Sequence, residues 1–170
     1  MSDLKNWIPR ETPKIESAQG RFVRIEPAQF PRDAAALCSA VGGPENDELW
    51  AHIPIGPFPT PESLDVVFAH ARDHLGWQTY LISDVATGTP LGMASYMRIR
   101  PEAGSIEVGC IVYSKKLQRT PAATEVMYLM ARHVFDDLGY RRYEWKCNNA
   151  NEGWKRAALR LGFTFEGVFR

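Results

Sequence analysis

Between Ser105 and Cys147 the apolar residues change period twice, and this constrains the fold more than anything else in the chain. Ser105–Tyr113 (SIEVGCIVY) reads as a strand. A polar loop, SKKLQRTPAA, then leads towards a helix that begins near Pro121. Its stripe of Val126, Leu129, Met130, Val134 and Leu138 recurs at helical spacing over Glu125–Leu138. Gly139 caps that helix, and Arg141–Cys147 (RRYEWKC) alternates again as a strand. Strand, helix and strand in this order call for an α/β domain with helices laid against a sheet.

The rest of the chain supplies the layers. Arg21–Pro27 reads as a first strand, and Pro31–Val41 as an alanine-rich helix stopped by Gly42-Gly43-Pro44. Asn46–Pro61 is a proline-rich loop carrying Trp50, Ile53, Ile55 and Phe58. Thr60-Pro61-Glu62 opens a helix as N-cap, N1 proline and acidic first turn; Leu64, Val67, Phe68 and Ala71 share one face, and it ends near Gly76. Trp77–Val85 and Pro90–Ile99 flank a tight turn and read as a hairpin. Asn151–Leu161 is a further helix with Ala157, Ala158 and Leu161 inward, and Phe163–Phe169 a last strand. The element order is β α α β β β α β α β. Residues 1–20 read as an irregular arm and residues 21–170 as one domain, without repeats or a linker.

Composition narrows the function. At 170 residues the chain is one domain, large enough to bury a core without metal or disulfide. It holds 20 Lys and Arg against 20 Asp and Glu, a formal net charge of zero, which argues against a general nucleic-acid binder. Cys38, Cys110 and Cys147 lack a CxxC pair and read as reduced thiols. No apolar run approaches the roughly 18 residues of a membrane span. The first residues, MSDLKNWIPRETPK, lack the apolar core of a signal peptide. A cytoplasmic location is expected, with no membrane partner.

The junction after Tyr113 carries the chemistry. A helix N-terminus reached from a strand offers free N–H groups and a positive dipole end, which suit a pyrophosphate. Ala122, Ala123 and Thr124 are small enough to let a ligand approach the backbone, and Lys115, Lys116 and Arg119 add positive charge. The plain alternative is a polar loop before a helix that binds nothing. Glu107, in mid-strand, is either a base or an ion-pair partner of Arg98 or Arg100. Gly109 within the same strand suggests a bulge. Trp50, His52 and Phe58 line an acceptor pocket or form a small core under the proline-rich loop. His70 and His74 are one helical turn apart with no third ligand in sight, so no metal site is expected.

The segment Gln118-Arg119-Thr120-Pro121-Ala122-Ala123 is similar to the Gln/Arg-x-x-Gly-x-Gly/Ala pattern of the GNAT acetyltransferases. Gln118 and Ala123 match, and Pro121 stands in place of the first glycine. Cys147–Asn151, followed by Leu161-Gly162-Phe163-Thr164-Phe165-Glu166-Gly167, resembles the ending of the branch that acetylates ribosomal-protein N-termini (RimJ/RimL-like). The resemblance implies the GNAT (acyl-CoA N-acyltransferase) fold, a mixed central sheet flanked by helices and closed by a C-terminal hairpin. That hairpin would be incomplete here, because the sequence ends at Arg170; an unpaired edge would then favour a homodimer.

The activity implied is acetyl transfer from acetyl-CoA, without a metal, to a primary amine of a protein N-terminus or a small molecule, by direct attack. In the resemblance, backbone groups of Ile111 and Tyr113 pair with the pantetheine amides and Asn151 contacts the same arm. Gln118, Arg119, Thr120, Ala122, Ala123 and Thr124 surround the phosphates. Glu107 matches a glutamate beside the thioester and is the candidate base. Two positions depart from the pattern. Trp154 replaces a serine that serves as acid, and Ala158 replaces a tyrosine. Indole cannot deliver a proton to a thiolate, so a second reading is a non-catalytic acyl-CoA-binding or interaction protein on the same fold.

Overall fold

In a computed structural model, residues 6–169 are described; residues 1–5 of the expected arm and Arg170 lie outside them. Six strands form one sheet in sequence order: β1 (Ala18–Gln19), β2 (Val23–Pro27), β3 (Gln78–Asp84), β4 (Pro90–Arg100), β5 (Ser105–Tyr113) and β6 (Arg142–Trp145). All neighbours are antiparallel except β5 and β6, which run parallel around the crossover that the sequence indicates. The sheet is therefore mixed. Its helices are α1 (Ala34–Val41), α2 (Pro61–Leu75), α3 (Pro121–Arg132) and α4 (Glu152–Arg160).

The α2 boundaries follow from local chemistry. Thr60 and Ser63 form a reciprocal capping box, Pro61 occupies the first turn, and Gly76 closes the helix at φ 66°, a backbone state that glycine adopts without strain. Leu64, Phe68 and Ala71, at helical spacing, are buried. With Leu37 and Val41 of α1, Leu64 and Phe68 pack on Met93 and Val112, one core of the domain. On the opposite face, Val126, Leu129, Met130 and Val134 pack on Ile25, Ile82, Tyr96, Ile106 and Val108. α1 and α2 thus cover one face of the sheet, and α3 and α4 the other. Fully burying a side chain such as Phe68 contributes about 1.5–3 kcal/mol.

Several elements differ from the sequence reading. The arm, irregular over most of its described length as expected, is docked on the domain. Ile15 enters the core, Ala18–Gln19 pairs with β2, the Trp7 indole donates to Glu102 O (2.9 Å) and Tyr140 OH donates to Glu11 O (3.0 Å). Part of the proline-rich loop, Pro44–Trp50, winds as a 3-10 helix. α3 begins at Pro121, and its continuation His133–Asp137 widens to π geometry.

Phe163–Phe169, expected as a strand, makes no ladder. Side chains hold it instead. The Phe163 ring packs on Tyr143 and Trp145 (centroids 5.6 and 5.4 Å), on the α3–α4 face. Glu166 accepts from Arg142 (2.9 Å), whose side chain alternates to the other face, so the segment crosses the edge of β6 rather than following it.

Candidate functional site

β5 outruns its parallel neighbour. The β5–β6 register stops at Val108↔Trp145, while β5 continues to Tyr113 against β4. Ser114 N donates to Leu91 O (2.9 Å), which makes Gly92↔Tyr113 a pair without mutual hydrogen bonds. The N–H and C=O of Tyr113 therefore point away from β4. The register also slips between Gly109 and Val112, at the bulge that Gly109 suggests, with Cys110 at φ 44°. The result is a cleft between β5 and β6 with an unpaired backbone edge along one wall.

Three non-glycine residues with positive φ occur among the described residues: Arg98 (44°) and Cys110 (44°) at the two β4–β5 register slips, and Arg119 (60°) in the loop before α3. Such strain persists where the surrounding structure enforces it, commonly at functional sites. Tyr113 OH, Ser114 Oγ, Tyr143 OH and Trp145 Nε1 are buried without a hydrogen-bond partner in the protein. Burial raises the hydroxyl pKa of Tyr113, and burial with the Tyr113 charge does the same for Tyr143. Both stay protonated donors at neutral pH.

At the mouth of the cleft lies the N-terminus of α3. Thr120 caps it, accepting from Ala123 N (3.2 Å) and donating to Leu117 O (2.6 Å). Pro121 has no N–H to offer. Gln118 folds back, its Nε2 donating to Tyr113 O (2.9 Å). Arg119 is exposed, and Ala122, Ala123 and Thr124 are half-buried. Lys115 is tied elsewhere, to Glu48 (2.7 Å) and Glu45 O (3.2 Å).

α4 forms the far wall. Asn151 is buried and caps it, its Oδ1 accepting from Trp154 N (3.0 Å). Trp154 lies half-buried against Trp145 (5.7 Å between ring centroids), so the position of the expected serine carries part of an aromatic wall. Tyr113 and the first turn of α3 thus lie at the parting of β5 and β6, and Asn151 caps the helix that follows β6.

Glu107 sits one rung before the strands part and faces the α1–α2 side, beside Gly109. Only 4% of its side chain is exposed, and its carboxylate accepts from Arg98 Nη1 (2.7 and 2.6 Å) and from Lys146 Nζ. The ion pair with Arg98 foreseen in the sequence is present; Lys146 is an addition. Lys146 also reaches Glu144 (3.1 Å), which accepts from Arg142 (2.6 Å), which in turn holds Glu166. Burial opposes ionisation of Glu144, but Arg142 and Lys146 outweigh it and keep its carboxyl below the usual range. The ladder runs with alternating charge along one face of the paired part of β5 and β6, up to the point where they part.

The Trp50 loop divides. Trp50 and Phe58 are 2% and 4% exposed, stack edge-on at 4.8 Å and belong to the α1–α2 core, with the Trp50 indole donating to Val41 O (2.7 Å). Their burial corrects the acceptor-pocket reading for these two side chains and supports the core reading. His52 is exposed on the loop above.

Two residues escaped the sequence reading. Lys146 was legible in principle, since Arg142, Glu144 and Lys146 alternate onto one face of β6. Arg160 was not: its Nη1 donates to Thr124 Oγ1 (3.1 Å), joining the end of α4 to the first turn of α3. In sequence it is one more cation in a last helical turn.

This sheet, parted between its parallel strands beside a helix N-terminus, defines an acyl-CoA-dependent transferase. Residues 23–164 match the acetyltransferase (GNAT) domain family, and the chain belongs to that family. It is similar to a GCN5-related N-acetyltransferase from Brucella melitensis, at 37% identity and TM-score 0.90, over 98% of this chain and 76% of that one. A GNAT-family acetyltransferase from Chromobacterium violaceum is 32% identical, with TM-score 0.89, over 98% of this chain and 83% of that one. The ribosomal-protein-S5-alanine acetyltransferase of Vibrio fischeri shares the fold at 18% identity and TM-score 0.69, over 89% of this chain and 84% of that one. No curated protein matches the chain. The chain is thus an acetyl-CoA-dependent acetyltransferase. Among the described residues no helix is long and apolar enough to cross a membrane.

Proposed function

We propose that the chain transfers an acetyl group from acetyl-CoA to a primary amine, by direct attack, in the cleft between β5 and β6. The observation that carries this reading is the outward-facing backbone of Tyr113 beyond the end of β6, with Ile111 as the second residue of β5 that pairs with the ligand. An extended ligand bearing two amides can pair with it as an added strand, and the unpaired buried donors beside it suit a polar arm. Gln118, Arg119, Thr120, Ala122, Ala123 and Thr124 then border the phosphates, with the Ala122 N–H and the Arg119 guanidinium as donors, and Asn151 lies along the arm. Bound acetyl-CoA supplies an activated thioester. Glu107 accepts the proton of the attacking amine as the C–N bond forms; the thioester C–S bond breaks, and CoA leaves as a thiolate that takes its proton from water. A carboxylate has about four lone-pair sites, and Arg98 and Lys146 occupy three, which leaves one for the amine or an intervening water.

The resemblance of Asn151 and Leu161–Gly167 to the ribosomal-protein branch supports a peptide N-terminus as acceptor, with a small-molecule amine as the competing choice. His52 is the acceptor-side residue carried forward. Three free thiols support a cytoplasmic location. The exposed Phe165, Val168 and Phe169 beside the edge strand β6 support a homodimer through that edge. Trp154, where an acid would stand, favours a second reading: acyl-CoA binding without transfer. A mixed library of peptide and small amines, incubated with acetyl-CoA and read by mass spectrometry, separates the two. Products 42 Da heavier (the acetyl increment, about the mass of C2H2O) are expected. CoA binding with no acetylated product would establish the second reading.

A further inference from the structure

We infer that Arg160 is a ligand of the acyl-CoA diphosphate, drawn from α4 to make good what the α3 N-terminus lacks. The inference rests on the acetyl-CoA reading above. A helix N-terminus holds phosphate through the free N–H groups of its first turn. Here Pro121 contributes none, and the Ala123 N–H is bonded to Thr120 Oγ1 at 3.2 Å. The Thr124 N–H is already in reach of the Thr120 carbonyl by helix geometry, so within that turn the Ala122 N–H remains. Of the cations expected in the loop, Lys115 is held by Glu48 and Glu45.

Arg160 stands where the missing donors would be. Its Nη1 donates to Thr124 Oγ1 at 3.1 Å, so the guanidinium lies against the first turn of α3. Among the described residues Arg32, Arg72, Arg98 and Arg142 have a carboxylate within ion-pair distance; Arg160, like Arg119 in the loop, is one of the arginines without. A guanidinium carries five donors in a planar fork that matches phosphate oxygens two at a time. The bond to Thr124 uses one and leaves the rest for an anion. That bond also fixes the arginine at the cleft mouth before ligand arrives, which reduces the ordering cost of binding.

The test is calorimetric titration of the wild type, Arg160→Ala and Arg160→Lys with three probes. These are CoA, dephospho-CoA, which lacks the 3′-phosphate but keeps the diphosphate, and pantetheine, which has no phosphate. Arg160→Ala is expected to weaken CoA and dephospho-CoA alike, by roughly ten- to a hundredfold, the range for a lost charge-assisted hydrogen bond. Pantetheine should be unaffected. Arg160→Lys should recover part of the loss, because a point charge replaces the fork. Without ligand, the exposed Arg160→Ala site should shift the melting temperature by no more than about 2 °C.

Unchanged CoA affinity in Arg160→Ala overturns the inference. A loss confined to CoA moves the contact to the 3′-phosphate and also overturns it. An equal loss for all three probes, with a lowered melting temperature, makes the arginine structural. If the wild type takes up no CoA, the cofactor reading itself fails, and the titration separates that outcome from the others.

Discussion

Lys146 Nζ donates to the Glu107 carboxylate just past the last rung of the β5–β6 pair, where the two strands begin to separate. The ion pair therefore spans the point at which the sheet opens. Glu107 is nearly buried, while Arg98 and Lys146 keep 53% and 32% of their side chains exposed. The cations remain in contact with water, so the arrangement avoids the full desolvation of a buried pair. It also aims a carboxylate at the α1–α2 side of the cleft.

Replacing Glu107 with Gln separates a chemical role from a structural one. The substitution keeps the shape, removes the charge and sets an amide donor against one of two cations. Turnover at neutral pH should fall roughly a hundredfold or more, the scale of general-base catalysis. The Michaelis constant for acetyl-CoA should change little. Stability should fall by about 1–3 kcal/mol, from the lost charged hydrogen bonds. A destabilised protein with unchanged turnover would assign the proton to water.

Glu125 gives the fold a defined acid sensitivity. Its carboxylate accepts from the backbone N–H groups of Arg21 and Phe22 (both 2.7 Å) and Val23 (2.9 Å), pinning the start of β2 to α3. Burial opposes ionisation, but the three N–H groups outweigh it and its carboxyl lies below the ordinary value. A lowered folded-state pKa contributes stability above the unfolded value of about 4.3. That stability is lost as pH falls through the lower, folded value. Glu125→Gln should cost about 1–3 kcal/mol at pH 7. Denaturant titrations from pH 7 to 3 should show the gap to wild type narrowing on acidification; a gap constant with pH would remove Glu125 from the acid response.

The three thiols should differ widely in reactivity. Cys147 is exposed, Cys38 half-buried and Cys110 buried with its thiol pushed up to about 12 by burial. The thiolate is the reactive form. A thiol reagent on the native protein should modify Cys147 first, and Cys110 only as the protein unfolds. Prompt labelling of Cys110 would mean that the β5 bulge opens readily.

Asn151 carries two duties that a single substitution can separate. Its Oδ1 caps α4 through Trp154 N, so Asn151→Ala should lower stability by about 1 kcal/mol. Asn151→Asp retains the cap acceptor but loses the amide donor. It should keep stability near wild type while weakening CoA, as read by calorimetry. CoA affinity at the wild-type level in both variants would confine Asn151 to capping.

How far the sequence speaks can be judged from particular segments. The α2 boundaries were legible because Thr60, Pro61 and Gly76 act locally, within a turn or two of chain. The parallel strands were legible because the stripe from Val126 to Val134 sits between two alternating runs. Phe163–Phe169 was misread as a strand. Its alternation is real, but Phe163 and Glu166 are drawn to opposite faces of β6 by Tyr143 and Arg142, partners some twenty residues away. The positive φ of Arg98, Cys110 and Arg119 had no sequence signal, since none is glycine or asparagine. Arg160 against Thr124 depends on how α4 crosses α3, a tertiary relation that no local pattern encodes.

The most direct test of acetyl-CoA use in this cleft is amide hydrogen exchange at Ile111 and Tyr113, with and without saturating CoA. The Tyr113 N–H faces the unpaired edge of β5, where the pantetheine arm would add as a strand, and the proposed pairing engages the Ile111 N–H with it. Their exchange should slow by about tenfold or more on binding, while amides already bonded to β4, such as Ser114, change little. CoA binding that leaves Ile111 and Tyr113 exchanging at their ligand-free rates would contradict the placement of the cofactor along β5.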